Sequence, residues 1–356
     1  MYNAFYPGKV WLDTEGKRIQ AHGGSVIYVG DTYYWYGENK EKTDGVNGIW
    51  TWGIRCYSSK DLYNWEDRGL IIEPNLADED SSLHPVKAMQ DRPHIIYNEK
   101  TKKFVCWIKV MHFDGTQRET ILSADDILGP YTIEREDLRP LGMSGGDFDL
   151  AVAEDGKGYY YFERVHGEII CADLTEDYTD VTGYYSTHFP NGAPPASREA
   201  PAHFIRRGKH YLLTSGTTWY MPNPTETAIA DTWHGPFRNL GITHEQDVSN
   251  TSFHSQISCI FKVAGKKDLY IAMADRWLPE AMDWKYEDYA EGIRRMFDPE
   301  REEAFGGQSS VSGEGGERQL PVANTSIADY VWLPIRFQGE KAVIDWKDSW
   351  KVEDYI

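Results

Sequence analysis

The sequence predicts an all-β fold, a five-bladed β-propeller that forms one domain over residues 1–356 with a late insertion at 279–319. Three observations predict it. One pattern is written five times along the chain: an apolar strand, a turn rich in Gly, Asp, Asn or Lys, and a second strand full of aromatics. The copies recur at intervals of 71, 55, 51 and 59 residues, measured between the second-strand positions Tyr33, Phe104, Tyr159, His210 and Leu269. Units of that size, each a small antiparallel sheet that cannot bury both faces alone, describe propeller blades. Hydrophobic residues make up 40% of the chain and aromatics 14%, ample material for a core between stacked sheets.

The copies are GGSVIYVGDTYYWYGE (Gly23 to Glu38), DRPHIIYNEKTKKFVCWIKV (Asp91 to Val110), DFDLAVAEDGKGYYYFER (Asp147 to Arg164), EAPAHFIRRGKHYLLTSG (Glu199 to Gly216) and SQISCIFKVAGKKDLYIAMA (Ser255 to Ala274). Turns such as Val29-Gly30-Asp31, Asp155-Gly156-Lys157 and Arg207-Gly208-Lys209 between alternating apolar runs are hairpin chemistry. A second strand pair with a polar bend follows four of the five hairpins, which gives four strands per sheet. Two stacked sheets in a sandwich would not explain five copies of one motif. Residues 279–319 break the pattern: EAMDWKYEDYAEGIRRMF is amphipathic enough for a helix, and Phe305 to Gln319 is Gly/Ser/Glu-rich and expected to be mobile. The last segment, DYVWLPIRFQGEKAVIDWKDSW, carries two alternating strands that complete the final blade or close the ring against the first.

Charge narrows the function. A formal net charge of -19 repels phosphate backbones and anionic membranes, so nucleic acid and membrane are excluded as expected partners, whereas a neutral oligo- or polysaccharide is compatible with it. Cys56, Cys106, Cys171 and Cys259 each sit in an apolar run without the short spacing of a metal site, and read as reduced core residues. The N-terminus, MYNAFYPGKVW, has no charged region followed by an apolar stretch, and no segment approaches a membrane span. The expectation is a cytoplasmic protein as given, secreted only if a signal has been removed. No motif encodes an oligomeric state.

In a propeller the first strand of every blade lines a central shaft, so residues at one position of each copy form a ring around its mouth. Counting back from the second-strand positions, each copy presents a polar residue at nearly constant offset: His22 at 11, Asp91 at 13, Asp147 at 12, Glu199 at 11 and Gln256 at 13. Three carboxylates, an imidazole and an amide in place of hydrophobic residues imply repulsion that raises at least one acid's pKa. Carboxylates with separated pKa values are what glycoside hydrolysis needs: a protonated acid for the leaving oxygen, and a base or nucleophile on the opposite face. A single isolated Asp is more often a satisfied buried acid or strand-end cap; the ring as a whole reverses that weighting.

These residues carry a family resemblance. The AHGG of Ala21 to Gly24, YYWYGE ending at Glu38, RPHIIYN after Asp91, EDGKGYYYF after Asp147, EAPAHF at Glu199, SQ at Gln256 and the C-terminal VWLPIRF resemble glycoside hydrolase family 43, and within it the branch containing exo-β-1,3-galactanases. The resemblance spans essentially the whole chain. It implies an inverting hydrolase that releases terminal sugar from a plant-type polysaccharide. By the same resemblance Glu199 matches the general acid, and Asp147 matches the carboxylate that tunes its pKa, with Asp149 on the same strand face as the alternative. Most of the wider family has an Asp base in the first blade, where this chain has His22-Gly23-Gly24. In the galactanase branch a fifth-blade Gln holds the nucleophilic water, the place of Gln256, and Asp91 stands where that branch has a Glu that contacts the terminal sugar. An amide is a very weak proton acceptor, so the residues themselves favour Asp91 as base and leave Gln256 to position water.

Further candidates are His22, Glu38 and Trp219 for substrate. Trp219 either stacks on a sugar ring at the mouth or packs between blades, and Glu38 either accepts sugar hydroxyls or ends a strand in solvent. No cofactor is required. His254, two residues before Gln256 on the same strand face, is the candidate contact for a structural Ca or Na ion in the shaft, as some relatives carry there, although a lone His is more often a satisfied core group. Two other readings compete. An α-L-arabinofuranosidase or β-xylosidase on the same scaffold is disfavoured by the missing blade-one Asp. A non-catalytic sugar-binding propeller is disfavoured by the retained acids.

Overall fold

The computed structural model describes residues 1–190, 192–297 and 323–356. Tight turns set its hairpins: Arg207 and Gly208 both take left-handed φ values, +52° and +74°, the twist-compatible two-residue turn, and Gly30 does so at +66°. Apolar residues then bury the inner and middle strands on both faces against neighbouring sheets, as in Gly158–Arg164 and Ile169–Leu174, while outer strands such as Thr132–Leu138 and Arg238–Ile242 stay largely exposed.

Five antiparallel sheets result, each with its strands in sequence order from the inside outward. The first holds β1 (His22–Val29), β2 (Thr32–Glu38), β3 (Ile54–Ser59) and β4 (Glu66–Ile72). The second holds β5 (Met89–Asn98), β6 (Lys103–Met111), β7 (Gln117–Ala124) and β8 (Thr132–Leu138). The third holds β9 (Gly145–Val152), β10 (Gly158–Arg164), β11 (Ile169–Leu174) and β12 (Val181–His188). The fourth holds β13 (Arg198–Arg206), β14 (Lys209–Gly216), β15 (Glu226–Ala230) and β16 (Arg238–Ile242). The fifth pairs β17 (Gln256–Lys262) with β18 (Tyr270–Arg276), which then takes β19 (Asp329–Tyr330) and β20 (Leu333–Gln338), with β21 (Lys341–Ile344) outside. The first strands touch one another in the cycle β1, β5, β9, β13, β17 and back to β1, so the sheets form a ring of five blades around a shaft.

The C-terminal segment therefore completes the fifth blade, and it also closes the ring. Phe5 bridges to Trp350, and the Gly8 N–H donates to the Tyr330 carbonyl at 2.7 Å. Trp35 and Trp65 of blade one and Trp332 of blade five are at most 1% exposed and pack in one cluster across this seam. Truncating one such side chain to Ala costs about 3–5 kcal/mol. The four cysteines are free and buried.

Within the insertion, α1 (Tyr286–Met296) carries Glu287 and Asp288 in its first turn and Arg294 and Arg295 in its last, matching the helix dipole. Its buried face presents Ala290 and Ile293. The Tyr289 hydroxyl donates to the Pro222 carbonyl, which docks the helix on the loop after β14. The segment from Phe305 to Gln319, expected to be mobile, lies outside the described residues. Among the described residues no helix is long and apolar enough to cross a membrane.

Candidate active site

One local device repeats at the mouth. The pairing of each first strand slips close to its start: between His22 and Ser25, between Asp91 and His94, between Gly145 and Phe148, between Glu199 and Ala202, and between Ile257 and Cys259. Such bulges re-aim side chains and free a backbone N–H from the ladder. The residue after the site residue takes a left-handed φ in three blades, +57° at Gly23, +50° at Arg92 and +48° at Ala200. Pro93 and Pro201 follow directly, where a missing donor costs nothing because the ladder is already interrupted.

The freed N–H groups cap carboxylates of the preceding blade. Gly23 donates to Asp275 Oδ2 at 3.0 Å, Arg92 donates to Glu38 Oε1 at 2.9 Å, and Ala200 donates to Asp147. A Cβ at Gly23 would lie 2.2 Å from Glu38 Oε1, so any larger residue there would have to displace that carboxylate as well as adopt a left-handed φ.

Glu199 and Asp147 are pushed in opposite directions. Burial, then the negative charges of Asp147 and Glu163, hold the Glu199 carboxyl well above its ordinary value, and Arg92 and Lys109 offset this only in part. Burial would raise Asp147 too, but the cations win there: Arg92 Nη2 lies 3.0 Å from Oδ2 and Lys109 Nζ donates to Oδ1 at 2.7 Å, so its pKa falls below the usual value. One carboxyl is thus kept protonated beside one kept ionised, the arrangement of an acid and its tuner. Glu199 remains partly open to the mouth, whereas Asp147 is buried.

Gln256 joins this pair. Its Nε2 donates to Glu199 Oε1 at 2.9 Å and to Ser215 Oγ at 3.0 Å, and its Oε1 accepts from Trp277 Nε1 at 3.2 Å. Asp91 accepts from Trp50 Nε1 at 2.6 Å and lies 3.2 Å from Lys109 Nζ. Trp50, Tyr220 and Trp277 form an aromatic wall, with ring centroids 5.8 Å apart in the first pair and 5.2 Å in the second. Flat apolar faces beside hydrogen-bonding acids suit a pyranose ring.

Glu38 is buried rather than at a solvated strand end; Lys40 lies 2.7 Å away and burial pushes the acid up to about 7, with Asp91 adding to the shift. His22 is fully buried, with its ring nitrogens on Asp275 Oδ1 at 3.0 Å and Gln20 Oε1 at 3.1 Å and its face stacked on Tyr330, so it has no nitrogen left to offer a sugar. Asp149 lies deeper in the shaft, 2.9 Å from His94 Nδ1 and accepting from the His203 N–H. Trp219 is 37% exposed, lines a small cavity beside Gln256, and approaches Phe297 at 6.2 Å. His254 lines the same cavity. Among the described residues no three His, Cys, Asp or Glu side chains are grouped as a metal site.

Sequence reasoning missed the buried cations Lys40, Arg92 and Lys109, the aromatic wall, and Asp275. A signal existed for two of them. Folding each hairpin on its turn places Lys109 opposite Asp91 and Asp275 opposite Gln256.

Solved structures share the fold along nearly the whole chain. A β-1,3-galactosidase of family 43 is 28% identical with a TM-score of 0.78 over 99% of this chain, which spans 65% of that protein's length. A second β-1,3-galactosidase of that family, solved with galactodeoxynojirimycin, is 26% identical with a TM-score of 0.76 over 98% of this chain and 100% of its own. An exo-β-1,3-galactanase from Clostridium thermocellum is 27% identical with a TM-score of 0.72 over 98% of this chain and 66% of its own. A comparison with curated protein sequences gives no match. The sequence profile described as glycosyl hydrolases family 43 matches residues 18–271, most of the blades and every member of the mouth ring, and the chain belongs to that family.

Proposed function

We propose that this glycoside hydrolase releases terminal galactose from β-1,3-linked galactan by one displacement at the anomeric carbon, with inversion. The observation that carries the chemistry is the opposed shift of Glu199 and Asp147 within one hydrogen-bonded cluster at the mouth. Glu199 delivers its proton to the leaving oxygen, and Asp147, held ionised by Arg92 and Lys109, keeps that proton on Glu199 until it is needed. Gln256, anchored by three hydrogen bonds, holds the attacking water, while Asp91, fixed by Trp50 and Lys109, contacts the terminal sugar.

The choice of galactose is supported by the solved relatives that are themselves β-1,3-galactosidases or a galactanase. The test is a panel of β-1,3-galacto-oligosaccharides and aryl galactosides, arabinofuranosides and xylosides, with NMR of the first-formed anomer. Galactose of inverted configuration is expected. Cleavage of arabinofuranosides or xylosides but not galactosides would overturn the substrate, and a retained configuration would overturn the single displacement. Since Glu199 must be protonated, activity should fall as pH rises through its elevated pKa.

A further inference from the structure

An inverting displacement needs a group to take the water's proton, and Gln256 is ill suited to it. An amide oxygen is a very weak base. Its two amide hydrogens are given to Glu199 and Ser215, and one lone pair of Oε1 is taken by Trp277. The remaining lone pair can hold a water but not keep its proton.

The pairing of β17 with β18 sets Gln256 directly opposite Asp275, and opposed residues project from the same face of a sheet. Both line the small cavity shared with Tyr220, His254 and Trp277, whose size is that of about one water molecule. Asp275 is 3% exposed. Its two oxygens accept from blade one, from His22 Nδ1 and the Gly23 N–H, each at 3.0 Å. A carboxylate has about four acceptor sites, so room remains for a water. Blade one offers the mouth no ring carboxylate of its own; its first strand instead holds one that comes from blade five.

We infer that Asp275 is the general base of the displacement, an inference that rests on the reading of Glu199 as acid in an inverting reaction. The water oxygen bonds to the anomeric carbon as the bond to the leaving oxygen breaks. Glu199 gives its proton to that oxygen, and the water's proton passes to Asp275.

The experiment compares wild type with Asp275→Asn and Asp91→Asn on whichever aryl glycoside the wild type cleaves, so that failure on galactosides counts against the substrate alone. Asp275→Asn should lower kcat about 10²–10⁴-fold whatever the leaving group. Added azide should then restore turnover and yield a glycosyl azide of inverted configuration, which a merely structural residue would not allow. Retention of kcat within a few-fold, or azide rescue of Asp91→Asn but not of Asp275→Asn, would overturn the inference. If Asp275→Asn does not fold, Asp275→Glu is read instead. It keeps a carboxylate for His22 and Gly23 but moves it by one methylene, so a fall in kcat at constant KM supports the base and an unchanged kcat overturns it.

Discussion

Lys109→Met removes the ammonium that ties blades two and three together at the mouth while leaving a side chain of similar length. Its Nζ lies 2.7 Å from Asp147 Oδ1 and 3.2 Å from Asp91 Oδ2, in a site where all three side chains are buried. At an effective dielectric of about 20 those separations correspond to about 6 and about 5 kcal/mol of attraction, and desolvation cancels several kcal/mol per ion. Removing one partner of a buried pair costs about 3–5 kcal/mol, because the orphaned charge stays buried. Arg92 still covers Asp147 at 3.0 Å, so the loss falls mainly on Asp91 and should sit near the lower end, about 3 kcal/mol. The cost must depend on pH. Lys109 also holds down Glu119, which burial pushes up to about 8, so without it that folded-state pKa rises further and the folded state loses more stability as pH climbs through that range. Thermal melts of both proteins at pH 5 and pH 8 check this, and the gap between them should be wider at pH 8. Equal melting temperatures, or a wider gap at pH 5, would refute the reasoning.

Three other outcomes are expected. Burial pushes Glu119 up to about 8 from 4.5, with Asp147 adding to it and the Tyr160 hydroxyl and Lys109 opposing it; the folded state therefore binds the extra proton, and stability declines as pH climbs from about 4.5 to about 8. Glu119→Gln should flatten that decline, gaining most at pH 8, and an unchanged slope in pH-dependent denaturation would count against it. Gly24→Ala would put a Cβ 1.8 Å from the Tyr36 carbonyl oxygen, where backbone must shift, so it should unfold more readily by several kcal/mol; Gly156→Ala, at φ +84° in open space, should cost only about 1 kcal/mol in the same urea titration. Glu199→Gln should lose most activity on oligosaccharides and far less on dinitrophenyl glycosides, whose leaving group needs no proton; an equal loss on both would remove Glu199 as the acid.

The five hairpins were legible because a blade repeats two signals that depend on neighbouring residues alone, the turn and the alternation. The chosen second-strand positions fall within one residue of where β2, β6, β10, β14 and β18 begin. The ring of His22, Asp91, Asp147, Glu199 and Gln256 was read from the same signals, since a nearly constant offset from a hairpin turn implies a similar height along the shaft. Lys109 was not, because in KFVCWIKVM it reads as one polar position of an alternating strand, and only the partner strand shows that it faces a carboxylate. Asp275 lies one residue beyond the fifth hairpin as read from sequence, and its link to His22 joins the fifth blade to the first across 253 residues of chain. The burial of His22 was hidden likewise. Tyr330, more than 300 residues away, covers its face.

Ring closure and catalysis are therefore one problem. Asp275, Glu38 and Asp147 are each capped by a backbone N–H from the next blade, so no single blade holds a complete acid with its own donors. A seam that opens locally removes a cap and admits water, which lowers the desolvation that raises Glu199 and screens the cations that depress Asp147. The opposed pKa shifts then collapse together. The seam between blades one and five carries both the Gly23–Asp275 contact and the tryptophan cluster of Trp35, Trp65 and Trp332. Aromatic packing at that seam therefore serves the site as well as the fold, because it keeps blade one's bulge pressed against the Asp275 carboxylate of blade five.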